Sequence, residues 1–253
     1  MRRIVIKIGS KVLTRPDGTL DVTRMSSLVD QMVGLIKSGY QILVVTSGAV
    51  ACGRSILRPE HQLDSVEQRQ LFSAVGQVRL IDFYSKMFRE YGLRIGQILT
   101  TKRNFESGVE YQNQRGCIEV MLENGVVPVI NENDTVSVTE LMFTDNDELS
   151  GLVAKMVGAE VLVILSGVDG VYRDLDNRSG LIPVVHPGDD ISGFIVERRS
   201  RAGRGGMVSK YQTASELSAS GIRVFVADGK RENVLTKLID APQTVPHTEF
   251  ATE

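Results

Sequence analysis

The chain has 253 residues, of which 42% are hydrophobic and 24% charged, with a net charge of −2 and a pI near 6.0. This composition is ordinary for a globular protein, and the charge gives no electrostatic reason to expect a nucleic-acid or membrane partner. The two cysteines, Cys52 and Cys117, lie far apart and outside any CxxC pattern. We therefore expect neither a disulfide framework nor a structural zinc site. The same cysteine usage indicates a cytoplasmic location.

Six short runs rich in Val and Ile alternate with stretches of helical period. The runs are almost continuously hydrophobic, which is typical of parallel strands covered on both faces. The alternation predicts an α/β fold, a three-layer αβα sandwich with a mainly parallel central sheet. The predicted strands are 3–8, 41–46, 94–100, 126–131, 160–165 and 222–227, and the predicted helices are 22–38, 66–91, 112–124, 146–157, 206–220 and 230–240.

The remaining segments fit a single domain over residues 1–253. No stretch has the composition of a linker, and no repeat of fixed period is present. Residues 171–200 have little apolar periodicity and predict a small hairpin or lid, while TVPHTEFA (244–251) predicts a closing strand.

Small, polar and glycine-rich residues follow five of the six predicted strands. In an open parallel sheet, ligands bind beyond the carboxyl ends of the strands. Such loops are polar in every fold of this class, but five together favour a binding crevice. They are KIGS (7–10), TSGAVACG (46–53), NENDTVSV (131–138), SGVDGVY (166–172) and ADGKREN (227–233).

Two lysines, Lys7 and Lys210, predict an anionic ligand. The sequence lacks GxxxxGK[ST], and it lacks GxGxxG after the first strand. In AGRGGMVSKYQTA (202–214), however, glycines precede a predicted helix that carries Lys210. Backbone N–H groups at such a helix start bind anions, although a flexible loop with a solvated lysine would explain this segment alone. Lys7 lies in a buried strand beside Gly9, and a buried ammonium group needs an anionic partner.

The acidic segment FTDNDELSG (143–151) has two interpretations. Asp145, Asn146 and Asp147 directly precede a predicted helix, so they suit an N-cap with an acidic first turn. A carboxylate here could also hold two lysines in place and help keep them protonated. The spacing does not fit an EF-hand. Two lysines, a glycine-rich anion cradle and an organising aspartate together predict a phosphoryl-transfer site.

These motifs resemble the amino-acid kinase family. IVIKIGS (4–10), TSGAV, NEND, FTDNDELS and GRGGMVSK (203–210) stand in that family's order and spacing over nearly the whole chain. NEND and FTDNDELS, with SAVGQ (73–77), resemble its glutamate 5-kinase group in particular. The resemblance implies transfer of the γ-phosphoryl group of ATP to the γ-carboxylate of L-glutamate, the first step of proline biosynthesis. Mg²⁺ is implied as cofactor, held mainly by the ATP phosphates rather than by protein ligands.

The resemblance also implies roles for individual residues. Lys7 would contact the transferred phosphoryl group, Lys210 would stabilise charge toward the leaving ADP, and Asp147 would orient both lysines. The implied glutamate-binding residues are Ser47, Asp134 and Asn146, of which Asp134 suits the substrate ammonium group. The implied ATP-binding residues are Lys7, Gly9, Ser166, Gly167, Arg204, Gly205, Gly206, Met207, Val208, Ser209 and Lys210.

The sequence departs from many relatives in two places. Ser166-Gly167 stand where many have Thr-Asp, so a side-chain contact to the nucleotide is either missing or supplied by Asp169. Many relatives continue into a C-terminal PUA domain, whereas this chain stops at Glu253 and resembles the short form.

The expected partners follow from the same resemblance. They are L-glutamate and ATP, proline as feedback inhibitor, a homo-oligomer (dimer or tetramer) and the downstream γ-glutamyl phosphate reductase. The predicted helix 66–91 has more apolar residues than one core stripe requires, so it is either a subunit interface or a wide core-facing helix.

Two alternatives remain open from the sequence. One is a family member with another acceptor, such as N-acetylglutamate, aspartate, carbamate or UMP; Asp134 favours a free amino acid because an N-acetylated substrate has no ammonium group. The other is a non-catalytic amino-acid sensor, which would have no need of Lys7, Asp147 and Lys210 together. No general base is expected, because a carboxylate is already a nucleophile and His61, His186 and His247 lie outside the motif loops.

Overall fold

The computed structural model describes residues 2–137, 143, 145–174, 179–195 and 206–252. The strands are β1 (Arg3–Ile8), β2 (Gln41–Thr46), β3 (Arg94–Thr100), β4 (Val126–Glu132), β5 (Val161–Ser166), β6 (Tyr172–Asp174), β7 (Ser179–Leu181), β8 (Val184–Val185), β9 (Arg223–Asp228) and β10 (His247–Phe250). The helices are α1 (Ser10–Leu13), α2 (Val22–Lys37), α3 (Ala49–Ile56), α4 (Ser65–Arg89), α5 (Val109–Glu123), α6 (Asn146–Met156), α7 (Met207–Ser218) and α8 (Val234–Asp240). None of these helices is long and apolar enough to cross a membrane.

The main sheet is mostly parallel, in the order β3-β4-β2-β1-β5-β9-β10-β8. The closing strand is confirmed as β10, which runs antiparallel to β9, and the hairpin is confirmed as the antiparallel pair of β6 and β7. The chain places β2 on one side of β1 and β5 on the other. The loops after these three strands therefore meet at one edge of the sheet, where ligands bind in open α/β folds.

The two faces of β1 explain where Lys7 points. Successive side chains of a strand alternate between faces. Ile4, Ile6 and Ile8 belong to one apolar cluster, with side chains of α2, α4 and α8. Val5 belongs to the other, with side chains of α5, α6 and α7. Lys7 therefore shares the face covered by α6 and α7, and the predicted three-layer arrangement is confirmed.

Helices α3 and α4 approach each other through two glycines. A Cβ atom added to Gly76 would lie 1.8 Å from the carbonyl oxygen of Ala49, and one added to Gly53 would lie 1.9 Å from the carbonyl oxygen of Phe72. Any larger side chain at either position would push the helices apart. Helix α3 is absent from the helices predicted from the sequence, and it begins directly after Ser47 and Gly48.

Replacing Gly76 by alanine is expected to destabilise the protein by about 2 kcal/mol or more, because the new methyl group overlaps backbone that cannot turn away. The matched control is Gly116→Ala in the middle of α5, where an added Cβ has nothing within 4 Å. The control should gain roughly 0.5–1 kcal/mol from the better helix propensity of alanine. Urea unfolding of both variants measures the two effects; equal stabilities would contradict the close packing.

Candidate active site

Lys7, Asp147 and Lys210 form a buried ion-paired cluster at the carboxyl edge of the sheet. The Nζ of Lys7 lies 2.6 Å from Oδ1 of Asp147, and the Nζ of Lys210 donates to Oδ2 at 2.7 Å. The Asp147 side chain is fully buried, while those of Lys7 and Lys210 are 7% and 11% exposed. The structure therefore brings together, from three separate elements, the carboxylate and the two lysines that the sequence motifs predicted.

The charges of this cluster do not balance. Burial alone would raise the pKa of the Asp147 carboxyl, but the ammonium groups of Lys7 and Lys210 outweigh it and lower this pKa to about 2. The carboxylate thus stays ionised and offsets one of two positive charges. The pKa of the nearby Asp145 carboxyl is raised by burial and by Asp147. The second ammonium group thus has no carboxylate of its own within the cluster, and in a site shielded from water it favours binding of an anion.

Both interpretations of the acidic segment hold, for different residues. Asp145 is the N-cap of α6, and its Oδ1 accepts hydrogen bonds from the backbone N–H groups of Asp147 and Glu148 at 2.7 and 3.1 Å. Asp147, in the first turn, holds the two lysines instead. The cap fixes the start of α6 and thereby the position of Asp147, which faces Lys7 of β1.

Gly9 and the start of α7, which are predicted to bind the nucleotide, lie beside this cluster. The Gly9 N–H donates to the carbonyl oxygen of Leu165 at 3.0 Å, which ties the loop after β1 to the end of β5. Gly206 precedes α7, whose first residues are Met207, Val208 and Ser209. The Nζ of Lys210 also lies 3.4 Å from the Gly206 carbonyl oxygen, so the lysine folds back over the start of its helix. Arg204 and Gly205 lie outside the described residues.

The loop after β5 has an ion pair of its own. Both carboxylate oxygens of Asp169 accept hydrogen bonds from Arg231, which follows β9, and Tyr172 donates to Oδ2 at 2.7 Å. Ser166 bonds within its own loop, to Val168. Asp169 therefore links two neighbouring loops of the site; a contact from it to a nucleotide stays a prediction.

Asn146 joins three elements on the other side of the cluster. Its Nδ2 lies 2.8 Å from the carbonyl oxygen of Thr46, 3.1 Å from Oγ of Ser47 and 3.1 Å from Oδ1 of Asn131. Two predicted glutamate-binding residues, Ser47 and Asn146, are therefore in direct contact, and Asn146 is adjacent in sequence to Asp147.

Among the described residues, Asp134 bonds to neither Ser47 nor Asn146 but to two residues of α4 that the sequence did not predict as part of the site. Its Oδ1 accepts from Nε of Arg69 at 2.5 Å, and its Oδ2 accepts from Oγ of Ser73 at 2.9 Å. On the same helix, Gln77 accepts from Nδ2 of Asn131 at 3.1 Å. Arg69, Ser73 and Gln77 are spaced by four residues and so form one stripe of α4. The four-residue spacing of polar side chains at 69, 73 and 77 is the sequence pattern that could have indicated this stripe. The motif SAVGQ (73–77) contributed only to the family resemblance.

A cavity of about 430 Å³ opens beside Asp134. It lies between α4, the edge strand β3 and the loop after β4, and Val78, Ile81 and Leu99 give it an apolar wall. Glu132 and Asp134 supply carboxylates to its lining. The space can hold a small molecule with an apolar part and a cationic group.

Comparison with known proteins fits this geometry. Residues 2–228 match the model of the amino acid kinase family. The chain belongs to the amino acid kinase family. It is 54% identical to a glutamate 5-kinase of Bacteroides thetaiotaomicron over 98% of this chain and 69% of that protein. The identity is 42% to a glutamate 5-kinase of Chlorobaculum tepidum (97% and 66%) and 39% to one of Symbiobacterium thermophilum (94% and 92%).

The chain thus spans about two thirds of the first two relatives and nearly all of the third. Solved structures share the amino acid kinase fold at low identity. Giardia carbamate kinase gives a TM-score of 0.68 at 16% identity, covering 100% of this chain and 99% of that structure. UMP kinase from Ureaplasma parvum gives 0.64 at 16%, covering 100% of both chains.

Proposed function

We propose that the chain is an ATP-dependent kinase that phosphorylates the γ-carboxylate of L-glutamate, as the first step of proline biosynthesis. The observation that carries the proposal is the buried Lys7–Asp147–Lys210 cluster, in a chain 54% identical to a glutamate 5-kinase. Such a cluster suits transfer of a phosphoryl group between two anions, in which positive charge must be present before the reactants approach.

The reaction forms one bond and breaks one. A γ-carboxylate oxygen of glutamate attacks the γ-phosphorus of ATP, and the bond from that phosphorus to the β–γ bridging oxygen breaks. The products are γ-glutamyl phosphate and ADP. Lys7 lies on the central strand, where it can contact the transferred group, and Lys210 at the start of α7 can stabilise the charge that develops on the leaving ADP.

Mg²⁺ fits this site as a partner of the nucleotide. Both Asp147 oxygens face ammonium groups, and the described residues contain no cluster of three or more His, Cys, Asp or Glu side chains placed to hold a metal. Mg²⁺ commonly uses few protein ligands and binds substrate phosphates instead. When bound, it would neutralise phosphate charge.

Glutamate would bind between the ends of β2 and β4 and the start of α6. Ser47 and Asn146 offer hydrogen bonds to carboxylate oxygens, and Asp134 offers a negative charge to the substrate ammonium group. Replacing Asp134 by alanine is expected to raise the KM for glutamate at least tenfold, with the KM for Mg-ATP within twofold of wild type. Steady-state kinetics measures both, with Asp82→Ala, an exposed residue of α4, as control. An unchanged KM for glutamate would remove Asp134 from the site.

If proline binds at or over the glutamate site, the same variant should lose proline inhibition in parallel. Measuring the inhibition constant for proline in Asp134→Ala tests this. Loss of glutamate affinity with intact proline inhibition would indicate separate sites.

The proposal extends to assembly and location: a cytoplasmic homo-oligomer, a dimer or tetramer, that contacts the downstream γ-glutamyl phosphate reductase. Val78 of α4 and Leu99 of β3 support a subunit interface, because they are 74% and 38% exposed and lie side by side around the cavity. Sedimentation of the purified chain would measure the oligomer; a monomer at micromolar concentration would contradict it.

The acceptor is tested by ADP release with Mg-ATP and, in turn, L-glutamate, N-acetylglutamate, aspartate, carbamate and UMP. The proposal predicts turnover with glutamate at least a hundredfold above the other acceptors. Turnover with another acceptor would keep the kinase and overturn the substrate. Binding of glutamate or proline without ADP release from any mixture would favour an amino-acid sensor.

A further inference from the structure

Arg69 of α4 lies between two carboxylates of the loop after β4. Its Nε donates to Oδ1 of Asp134 at 2.5 Å, and its Nη2 lies 3.0 Å from Oε2 of Glu132. The Arg69 side chain is 16% exposed, and those of Glu132 and Asp134 are 8% and 12% exposed. One guanidinium thus contacts two largely buried acids, through its Nε and Nη2 atoms.

The ionised form of Glu132 is disfavoured here unless a cation lies nearby. Burial raises the pKa of the Glu132 carboxyl, and the nearby Asp134 raises it further, against the lowering effects of Ser137, Arg69 and the Phe143 N–H. Two like charges in a partly dry site repel each other. Arg69 offsets this repulsion, and its Nε–H hydrogen bond fixes the direction in which the Asp134 carboxylate points.

The two contacts to Asp134 leave room for a ligand. A carboxylate has about four lone-pair positions, and Arg69 and Ser73 occupy one on each oxygen. The same carboxylate lines the cavity of about 430 Å³. Asp134 is therefore held by α4, which also lines this cavity, and it retains lone pairs that can accept further hydrogen bonds.

Helix α4 is also tied to the phosphoryl-transfer cluster. Gln77 bonds to Asn131, Asn131 accepts from Asn146, and Asn146 precedes Asp147 in the first turn of α6. The stripe of Arg69, Ser73 and Gln77 thus supports the loop after β4 from Asn131 to Asp134, on a rigid helix rather than on a second loop.

We propose that Arg69 is a positioning residue for glutamate recognition, which holds the Asp134 carboxylate in the orientation that accepts the substrate ammonium group. The inference rests on the proposed function. Arg69 does not touch the reacting atoms, so its loss should weaken glutamate binding and leave phosphoryl transfer in the saturated enzyme nearly intact.

The test compares Arg69→Met with Arg79→Met, an exposed arginine nearly three turns further along the same helix. Arg69→Met is expected to raise the KM for glutamate at least tenfold, with kcat within threefold and the KM for Mg-ATP within twofold of wild type. Arg79→Met should match wild type in all three. Arg69→Lys, which keeps the charge but loses the fork, should fall between wild type and Arg69→Met.

A double-mutant cycle shows whether Arg69 acts through Asp134. If it does, adding Arg69→Met to Asp134→Ala should raise the KM for glutamate by less than twofold beyond the single variant. A full tenfold further rise would overturn the inference. So would a wild-type KM for glutamate in folded Arg69→Met, or equal rises in the KM values for glutamate and ATP.

Ser73→Ala provides a milder variant should Arg69→Met fail to fold. It removes the second contact to Asp134 without leaving a charge unpaired, and a two- to fivefold rise in the KM for glutamate alone is expected. An unchanged KM would count against the inference. The wild-type enzyme separates the two proposals: no turnover with glutamate refutes the proposed function, whereas wild-type turnover with unaffected Arg69 and Ser73 variants refutes only this inference.

Discussion

Replacing either lysine of the buried cluster, as Lys7→Ala or Lys210→Ala, is expected to lower kcat with glutamate and Mg-ATP about 100- to 1000-fold. Each ammonium group supplies positive charge where it grows in the transition state, and loss of one such group typically costs about 3–4 kcal/mol. The fold should survive, because Asp147 keeps one ion-pair partner in each variant. Single-turnover measurement of ADP formation reports the chemical step directly.

The matched control is Lys155→Ala. Lys155 lies in α6, the helix that carries Asp147, but its exposed side chain pairs with Glu216 on the surface. This variant should retain wild-type turnover, since surface ion pairs contribute little. Turnover within tenfold of wild type in Lys7→Ala or Lys210→Ala would refute the role assigned to that lysine.

The second large effect is expected from Asp147→Asn, on both stability and activity. This change leaves two buried ammonium groups close together without their shared carboxylate. Breaking a buried ion pair by removing one partner typically costs about 3–5 kcal/mol. Activity should fall at least a hundredfold, because neither lysine is held in place. Urea unfolding and ADP release measure the two effects.

The control for that variant is Asp82→Asn, which breaks the exposed pair of Asp82 with Lys86 in α4. It should change the free energy of unfolding by less than about 1 kcal/mol. Equal losses in the free energy of unfolding for Asp147→Asn and Asp82→Asn would contradict the expected cost of leaving the two buried lysines without their carboxylate.

The effect of Asp147 on stability should depend on pH in a definite direction. Its pKa in the folded protein is about 2, below the ordinary value of 3.8, so the ionised carboxylate stabilises the fold fully above about pH 4. The linked contribution, about 2 kcal/mol, is lost as the pH falls from about 4 to 2, where the folded form also takes up the proton. The stability difference between wild type and Asp147→Asn should therefore shrink over that range; a constant difference would contradict the lowered pKa.

Much of the fold could be predicted from the sequence because the strand signals are unusually plain. Each of the six predicted Val- and Ile-rich strands lies within one residue of the observed one, since continuous Val and Ile runs bounded by polar residues permit little else. Helix ends were less certain: the last predicted helix begins at Val234 rather than at residue 230. Helices α1 and α3 were missed because they are short and begin inside glycine-containing motifs assigned to loops.

Part of the candidate site could be predicted from the sequence and part could not. Lys7, Asp147 and Lys210 could be anticipated, because a lysine in a buried strand needs an anion nearby and a glycine-led helix start favours binding one. The support from α4 could not. Arg69 is an unremarkable arginine in sequence, and its contact with Asp134 joins residues 65 positions apart. Only the packing of α4 against the loop after β4 shows that Asp134 is held by a cation before any substrate arrives.

The most direct test of the account is to trap the product. The purified chain is incubated with Mg-ATP, L-glutamate and hydroxylamine, which converts an acyl phosphate into a hydroxamate. If glutamate is phosphorylated on its γ-carboxylate, wild type should form γ-glutamyl hydroxamate in an amount equal to the ADP released. Lys7→Ala should form almost none. ADP release with no hydroxamate would place the phosphoryl group on another acceptor and contradict the central claim.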